Sequence, residues 1–166
     1  MSSFDTLFLD RDGVINRKLE GRYVSDFSEF EFMPGFLEVI PNLSDLFIRI
    51  FIVTNQQGIG KKIMKESDLH LLHAQMQNKI EQSGAEITKI YYCPHLENLD
   101  CKCRKPNTGM IEHALLDFPK IVIKESYLVG DSESDIEAGK RMNLTTIKVD
   151  DEYTLSKWTN DLLSIS

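Results

Sequence analysis

The sequence predicts an α/β fold: a doubly wound, mostly parallel sheet with helices on both faces. Three observations lead there. Short apolar runs rich in β-branched and aromatic residues alternate with longer stretches whose apolar residues recur every three or four positions. The links between them are short, and neither an internal repeat nor a low-complexity segment breaks the alternation. The chain has 166 residues, 42% of them hydrophobic, enough for one domain spanning 1–166 with its own core.

The elements follow in order. Residues 6–9, TLFL, form an apolar run bounded by acids and read as a buried strand. Phe30 to Phe32 reads as a small extra strand. Pro34-Gly35 then opens a helix over 36–46, with Phe36, Val39, Ile40, Leu43 and Leu46 at helical spacing. Residues 48–53 are β-branched and give the next strand. Residues 66–82 predict a long amphipathic helix, with Leu69, Leu72, His73, Met76 and Ile80 on one stripe. Strands at 87–92, 126–129 and 145–149 then alternate with helices at 108–118, 133–142 and 155–163.

Composition narrows the function. The formal net charge is −7, the opposite of the basic excess of a nucleic-acid binder. No apolar run approaches the roughly 20 residues that span a membrane. The first ten residues, MSSFDTLFLD, lack the basic and apolar regions of a signal peptide, so a cytoplasmic setting is expected. The three cysteines, Cys93, Cys101 and Cys103, are odd in number and lie in one loop, which reads poorly as a disulfide framework.

Parallel sheets bind ligands at the carboxyl ends of their strands. Asp10 and Asp12 lie just past the first predicted strand, Thr54-Asn55 past the second, and Gly130-Asp131 past a later one. With Asp135, up to four acids gather in a small volume. Bare carboxylates repel, so a cation must neutralise them. Hard oxygen donors in an incomplete cage suit Mg²⁺. A carboxylate also attacks phosphorus, forming an aspartyl-phosphate. Two acids one residue apart then divide the work: Asp10 attacks, while Asp12 protonates the leaving oxygen and later activates water. Gly13 admits the phosphate close to the backbone. Thr54 donates to the phosphoryl oxygens and Lys105 balances their charge.

A second constellation is CPHLENLDCKC, residues 93–103. Cys93, His95, Cys101 and Cys103 make the closed four-ligand set of a structural zinc ion. The loop runs straight into Arg104-Lys105-Pro106, so zinc would position the phosphate-binding lysine. His70, His73 and His113 sit in helical stretches and read as packing or surface residues. Trp158 reads as packing for the last helix. The Lys61-Lys62 pair either reaches a phosphate or is solvated.

The motifs DRDG at 10–13, VTNQ at 53–56, Lys105 and GDSESD at 130–135 resemble the haloacid dehalogenase (HAD) superfamily of phosphatases. The match covers nearly the whole chain in the expected order. It implies a HAD-like, Rossmannoid domain without a large cap, open and covered only by loops. It also implies Mg²⁺-dependent hydrolysis of a phosphomonoester, with Asp10 as nucleophile, Asp12 as general acid and base, and Thr54 and Lys105 on the phosphate. Mg²⁺ would sit on Asp10, the Asp12 carbonyl and Asp131, with Asp135 supporting the site from behind.

Two zinc-loop groups of that superfamily resemble this chain. They are the D-glycero-D-manno-heptose 1,7-bisphosphate 7-phosphatases and the histidinol-phosphate phosphatases. DRDGVIN with Asn16, YVSDFSEFEFMPG and RKPNTGM are similar to the heptose group. The short spacer between His95 and Cys101, Lys61-Lys62, Asn107-Thr108 and Ser132 depart from it. The resemblance makes Gly21, Arg22, Tyr23, Thr54, Asn55, Gln56, Gln57, Arg104 and Lys105 substrate contacts. The expected partner is a small phosphorylated metabolite, a sugar bisphosphate, handled by a monomer without nucleic acid or membrane. Arg104 would bind the second phosphate bidentately. Histidinol phosphate, the alternative, is cationic and would want an acid at the pocket mouth, where Glu20, Asp26 and Glu97 are candidates. A polynucleotide 3'-phosphatase would carry basic and aromatic strips that this acidic chain lacks. A non-catalytic zinc-bound module would have no use for both Asp10 and Asp12.

Overall fold

Five strands, β1 (Phe4–Leu9), β2 (Phe47–Asn55), β3 (Lys89–Cys93), β4 (Tyr127–Gly130) and β5 (Thr145–Lys148), form one sheet in the order β3-β2-β1-β4-β5 in a computed structural model that describes residues 2–165. Every pairing is parallel. The strand pleat sends Leu7, Leu9, Ile50, Ile52 and Val129 to one face and Phe8, Phe51, Val53, Tyr91 and Leu128 to the other. Both faces are therefore apolar, and both are covered. Helices α1 (Phe36–Leu46), α2 (Glu66–Gln82) and α5 (Leu155–Ile165) bury Phe36, Ile40, Leu43, Leu69, Leu72, Met76, Ile80, Leu155, Trp158 and Leu162 against the first face. Helices α3 (Gly109–Asp117) and α4 (Glu133–Arg141) bury Met110, Ile111, Ala114 and Ala138 against the second.

Strand β1 is central. The chain leaves it for β2 on one side and later returns to β4 on the other, so the strand order reverses there and a crevice opens at its carboxyl end. One residue beyond the strand, the Asp10 amide still donates to the Val129 carbonyl at 3.0 Å, which keeps the loop after β1 in register with β4. The polar residues expected at three strand ends thus share one edge of the sheet.

The segment Phe30 to Phe32, expected as an extra strand, is not one. A 3₁₀ turn over Phe27–Glu29 leads into it, and Phe32 makes only a single antiparallel bridge to Asn16. A strand needs a neighbour to bond along its length, and here the backbone partners are those of the tight loop after β1. The aromatic rings serve as packing instead: Phe27 and Phe30 stack at 5.2 Å, Phe30 meets Phe32 edge-on at 4.9 Å, and Phe32 stacks on Phe36 at 5.6 Å. The other elements stand where the sequence pattern puts them, with ends moved by a few residues. Among the described residues, no helix is long and apolar enough to cross a membrane.

Phe51 has no exposed surface, and its ring lies 5.4 Å from Phe8, 5.8 Å from Tyr91 and 5.1 Å from Phe118. Phe51→Ala is expected to lower stability by about 3–5 kcal/mol, measurable as a shift of the urea midpoint.

Candidate active site

The loop after β1 is wound tightly. The amides of Val14, Ile15 and Asn16 all point at the Arg11 carbonyl, at 3.1, 2.8 and 3.3 Å. Gly13 has φ +90°, and a Cβ there would lie 2.1 Å from Asp131 Oδ2. Only glycine lets the β1 loop and the β4 loop meet this closely.

Lys105 is the hub. It is 3% exposed, and its Nζ donates to Asp10 Oδ1 at 2.9 Å and to the Val53 carbonyl at 2.7 Å, with Asp135 Oδ1 at 2.5 Å. Burial works against its charge, but Asp10 and Asp135 outweigh it and hold the lysine protonated above its ordinary range. Asn55 fixes the lysine's backbone: its side chain accepts from the Lys105 amide at 2.9 Å and donates to the Lys105 carbonyl at 3.2 Å.

The two acids of the loop live in opposite environments. Burial, resisted by Lys105 but reinforced by Asp135 and Asp131, holds Asp10 well above the usual carboxylate range. Asp12 is also desolvated, yet the Arg11 guanidinium and hydrogen bonds from Asn16, Arg11 and Gln56 outweigh burial and hold it below that range. Arg11 Nη2 and Asn16 Nδ2 donate to Asp12 Oδ1 at 2.8 and 2.9 Å, and Gln56 Nε2 donates to Oδ2 at 2.9 Å.

Carboxylate oxygens of Asp10, Asp131 and Asp135 lie within 4.8 Å of one another. Asp135 is fully engaged: Oδ2 accepts from the Asp131 amide at 3.1 Å and from the Ser132 amide and hydroxyl at 3.1 and 2.9 Å, while Oδ1 faces Lys105. Asp131 is not, because its buried Oδ1 has no hydrogen-bond partner among the described residues. Its other oxygen lies 3.7 Å from the exposed Lys18 Nζ. Three acids against one buried lysine leave about two negative charges. A divalent cation on Asp10 and Asp131 fits both that imbalance and the orphaned oxygen, and hard oxygen donors are those Mg²⁺ prefers.

The zinc-type set also converges. The ligand atoms of Cys93, His95, Cys101 and Cys103 lie within 4.8 Å of one another, and no disulfide joins the cysteines. His95 Nδ1 is 3.1 Å from Cys103 Sγ and 3.4 Å from Cys93 Sγ, and Cys93 Sγ is 3.7 Å from Cys101 Sγ. Three sulfurs and one ring nitrogen turned on a common centre match a tetrahedral zinc site.

A cleft of ≈ 280 Å³ opens over the acids. Of the residues expected to act, it brings together Asp10, Asp12, Arg22, Tyr23, Asn55, Gln57, Arg104, Lys105, Asp131 and Asp135. Thr54 and Gln56 do not line it. Both are buried, and Gln56 Nε2 donates to Thr54 Oγ1 at 2.9 Å as well as to Asp12. Gln56, expected as a substrate contact, is thus turned inward as a prop, donating to the half-buried Asp12 carboxylate. Gly21 lines an adjoining hollow with Lys18 and Asp150 rather than the cleft itself. Tyr23 and Gln57 are linked, Gln57 Nε2 donating to the tyrosine hydroxyl at 2.8 Å, and Lys61 Nζ lies over the Tyr23 ring at 5.4 Å. Lys18 and Arg11 were not among the expected site residues, and His73, expected as a packing or surface residue, meets Arg11 at 3.1 Å. A cation flanked by two acids at a strand end, and a histidine on an otherwise apolar helix stripe, were the available signals for the latter pair.

A parallel sheet with an aspartate pair at the switch point, an acid pair after β4 and a buried lysine defines a HAD-like phosphatase. The HAD-hydrolase-like family profile matches residues 102–162. D-glycero-alpha-D-manno-heptose-1,7-bisphosphate 7-phosphatase of Campylobacter jejuni is 40% identical over 141 residues, 85% of this chain and 79% of that protein. The D-glycero-beta-D-manno-heptose-1,7-bisphosphate 7-phosphatase of Neisseria meningitidis is 37% identical over 132 residues, 80% of this chain and 70% of that protein. The crystal structure of D,D-heptose 1,7-bisphosphate phosphatase from B. bronchiseptica, complexed with magnesium and phosphate, superposes with a TM-score of 0.88 at 25% identity, covering 98% of this chain and 99% of that one. The chain belongs to the family of these heptose bisphosphate phosphatases among the HAD-like hydrolases.

Gly13→Ala forces a Cβ into the Asp131 carboxylate at a left-handed φ. It is expected to cut phosphatase activity by about 100-fold or more, since displacement of reacting groups by an ångström has effects of that size. Steady-state phosphate release beside a thermal melt of the same sample checks this.

Proposed function

We propose that this chain removes the 7-phosphate of D-glycero-D-manno-heptose 1,7-bisphosphate through an aspartyl-phosphate on Asp10. The observation that carries the reading is the pair of adjacent acids with separate partners, Asp10 on Lys105 and Asp12 on Arg11, at the floor of a cleft whose mouth is cationic. Asp10 attacks phosphorus, and the bond from phosphorus to the sugar oxygen breaks. Asp12, which Arg11 holds ionised beforehand, takes up a proton as the anionic phosphate arrives beside it and gives that proton to the departing oxygen. Asp12 then takes a proton from water, which attacks the phosphorus and breaks the bond to Asp10, releasing inorganic phosphate. Lys105 holds Asp10 in place and balances the phosphoryl charge. Mg²⁺ held by Asp10, the Asp12 carbonyl and Asp131 would supply charge neutralisation, with Asp135 bracing the loop that carries Asp131.

Lys18, Arg22 and Arg104 line the cleft, whereas Glu20, Asp26 and Glu97 do not. Arg22 is paired with Glu29 and Lys18 lies 3.7 Å from Asp131, which leaves Arg104 as the cation that suits a second phosphate and disfavours a cationic substrate such as histidinol phosphate. Arg104 makes no ion pair among the described residues, so its fork is free for the distal phosphate. The names of the relatives support the same substrate. Zinc on Cys93, His95, Cys101 and Cys103 would be structural, since four protein ligands leave no open position. The acidic net charge supports a small metabolite over nucleic acid, and the reading takes the chain as a single domain acting as a monomer.

Asp10→Asn is expected to lower turnover to about one-thousandth of wild type or less with the fold retained, because the amide is no nucleophile. Phosphate release near the wild-type rate would remove Asp10 from that role. Comparing both heptose 1,7-bisphosphate anomers with histidinol phosphate, we expect a kcat/KM ratio above ~100 for a heptose, worth ~2.7 kcal/mol. The reverse ratio overturns the substrate assignment. Cys101→Ser is expected to lose zinc, read as metal content by mass spectrometry, and to melt at a lower temperature. Full zinc occupancy in that variant overturns the ligand set.

A further inference from the structure

We infer that His73, acting through Arg11, is a positioning residue that holds Asp12 for its proton transfer to the leaving oxygen. The inference rests on the reading of Asp12 as general acid. Arg11 is the largest side chain with no exposed surface, enclosed between the catalytic loop and α2. Its fork is divided. Nη2 donates to Asp12 Oδ1 at 2.8 Å, and Nη1 meets His73 Nε2 at 3.1 Å. The Phe30 ring lies 6.0 Å from the guanidinium carbon, and Nε has no partner among the described residues. Burying a guanidinium is a poor way to fill a core, and well-packed apolar side chains do it at least as well. Its place beside Asp12 points to the acid.

The identity of the second partner is informative. An aspartate or glutamate at position 73 would make a second ion pair and draw Arg11 away from Asp12. A histidinium would repel it. A neutral imidazole with its proton on Nδ1 offers Nε2 as an acceptor and aims the guanidinium without competing for its charge. Burial, with Arg11 beside it, lowers the His73 pKa to about 3, so the ring is neutral under working conditions. Asp12 Oδ1 is then held by Arg11 and Asn16, and Oδ2 by Gln56 alone. The carboxyl plane is fixed, and Oδ2 is the oxygen with capacity left for the proton. As Asp10 bonds to phosphorus, that proton passes to the departing oxygen.

This assigns His73 an effect that depends on the leaving group. Departure of 2,4-dinitrophenolate needs no proton, whereas departure of phenolate benefits from one. The experiment measures kcat/KM, which reports steps up to leaving-group departure, for phenyl phosphate and 2,4-dinitrophenyl phosphate. The proteins are wild type, His73→Leu, His73→Gln and Asp12→Asn. In His73→Leu we expect the phenyl phosphate value to fall about 10-fold or more beyond any fall for the dinitrophenyl ester, a fraction of the 10²–10⁴ that general acid catalysis supplies. His73→Gln, whose amide oxygen accepts in the same place, should regain most of the loss. Asp12→Asn should show the same selectivity, larger. Equal losses for both esters in His73→Leu overturn the positioning role, as does a His73→Gln variant no better than His73→Leu. Equal losses in Asp12→Asn overturn the general-acid reading beneath it, which separates the two failures. If His73→Leu does not fold, Arg11→Lys carries the test, since lysine keeps the charge but cannot bridge both partners.

Discussion

The ammonium of Lys105, buried among Asp10, Asp135 and the Val53 carbonyl, is the constraint on which the rest of this site depends. A lysine charge removed from water costs several kcal/mol unless opposite charges and acceptors surround it. Asp10 after β1, the Val53 carbonyl within β2 and Asp135 in the first turn of α4 do so. The requirement also runs the other way. Asp10 and Asp135 are themselves buried, and neither is tolerable without the lysine. One cation therefore ties the loop after β1, strand β2 and the start of α4 to the segment that follows the cysteine cluster.

That segment is held from several sides. Asn55 grips the backbone of Lys105 with both ends of its amide. Gln57 spans the cleft wall, donating to Tyr23 and accepting from the Glu97 amide at 3.1 Å. Asn107 Nδ2 donates to the Cys101 carbonyl at 2.8 Å. Gly60 and Gly109 lie so close to the loop backbone that a Cβ would meet Pro94 O at 2.7 Å and Lys102 O at 2.5 Å. Residues 94–108 have no helix or strand of their own, so side-chain amides, glycine contacts and the inward-facing cysteines and histidine give the loop its shape. The precision of Lys105 is thus bought from outside regular secondary structure.

Asp10 and Asp12 are two residues apart, yet their protonation is pushed in opposite directions. The difference comes from neighbours, not from depth, since both are desolvated. Asp10 shares its surroundings with two other acids, while Asp12 accepts from a guanidinium and two amides. A divalent cation held beside Asp10 and Asp131 would offset the burial and repulsion that raise Asp10, and would favour the ionised form that the proposed attack needs.

The sequence alone determined the layers and the chemistry. Strand and helix periodicity, D-x-D-G after the first strand, the acids after β4 and the single cluster of cysteines are local patterns, and local patterns survive without knowing what lies across the sheet. The tertiary structure decided partners. Phe30 to Phe32 has the composition of a strand but no neighbouring edge to bond, so it packs as an aromatic plug. Gln56 belongs to a substrate-like motif but turns inward, because Asp12 comes within 2.9 Å of it only once β1 and β2 are paired. Arg11 and His73, 62 residues apart, look like a loop cation and a helix-stripe histidine until α2 docks on the sheet. A buried polar group must be satisfied by whatever the fold brings beside it, and that is set by strand order and helix docking rather than by neighbours in sequence.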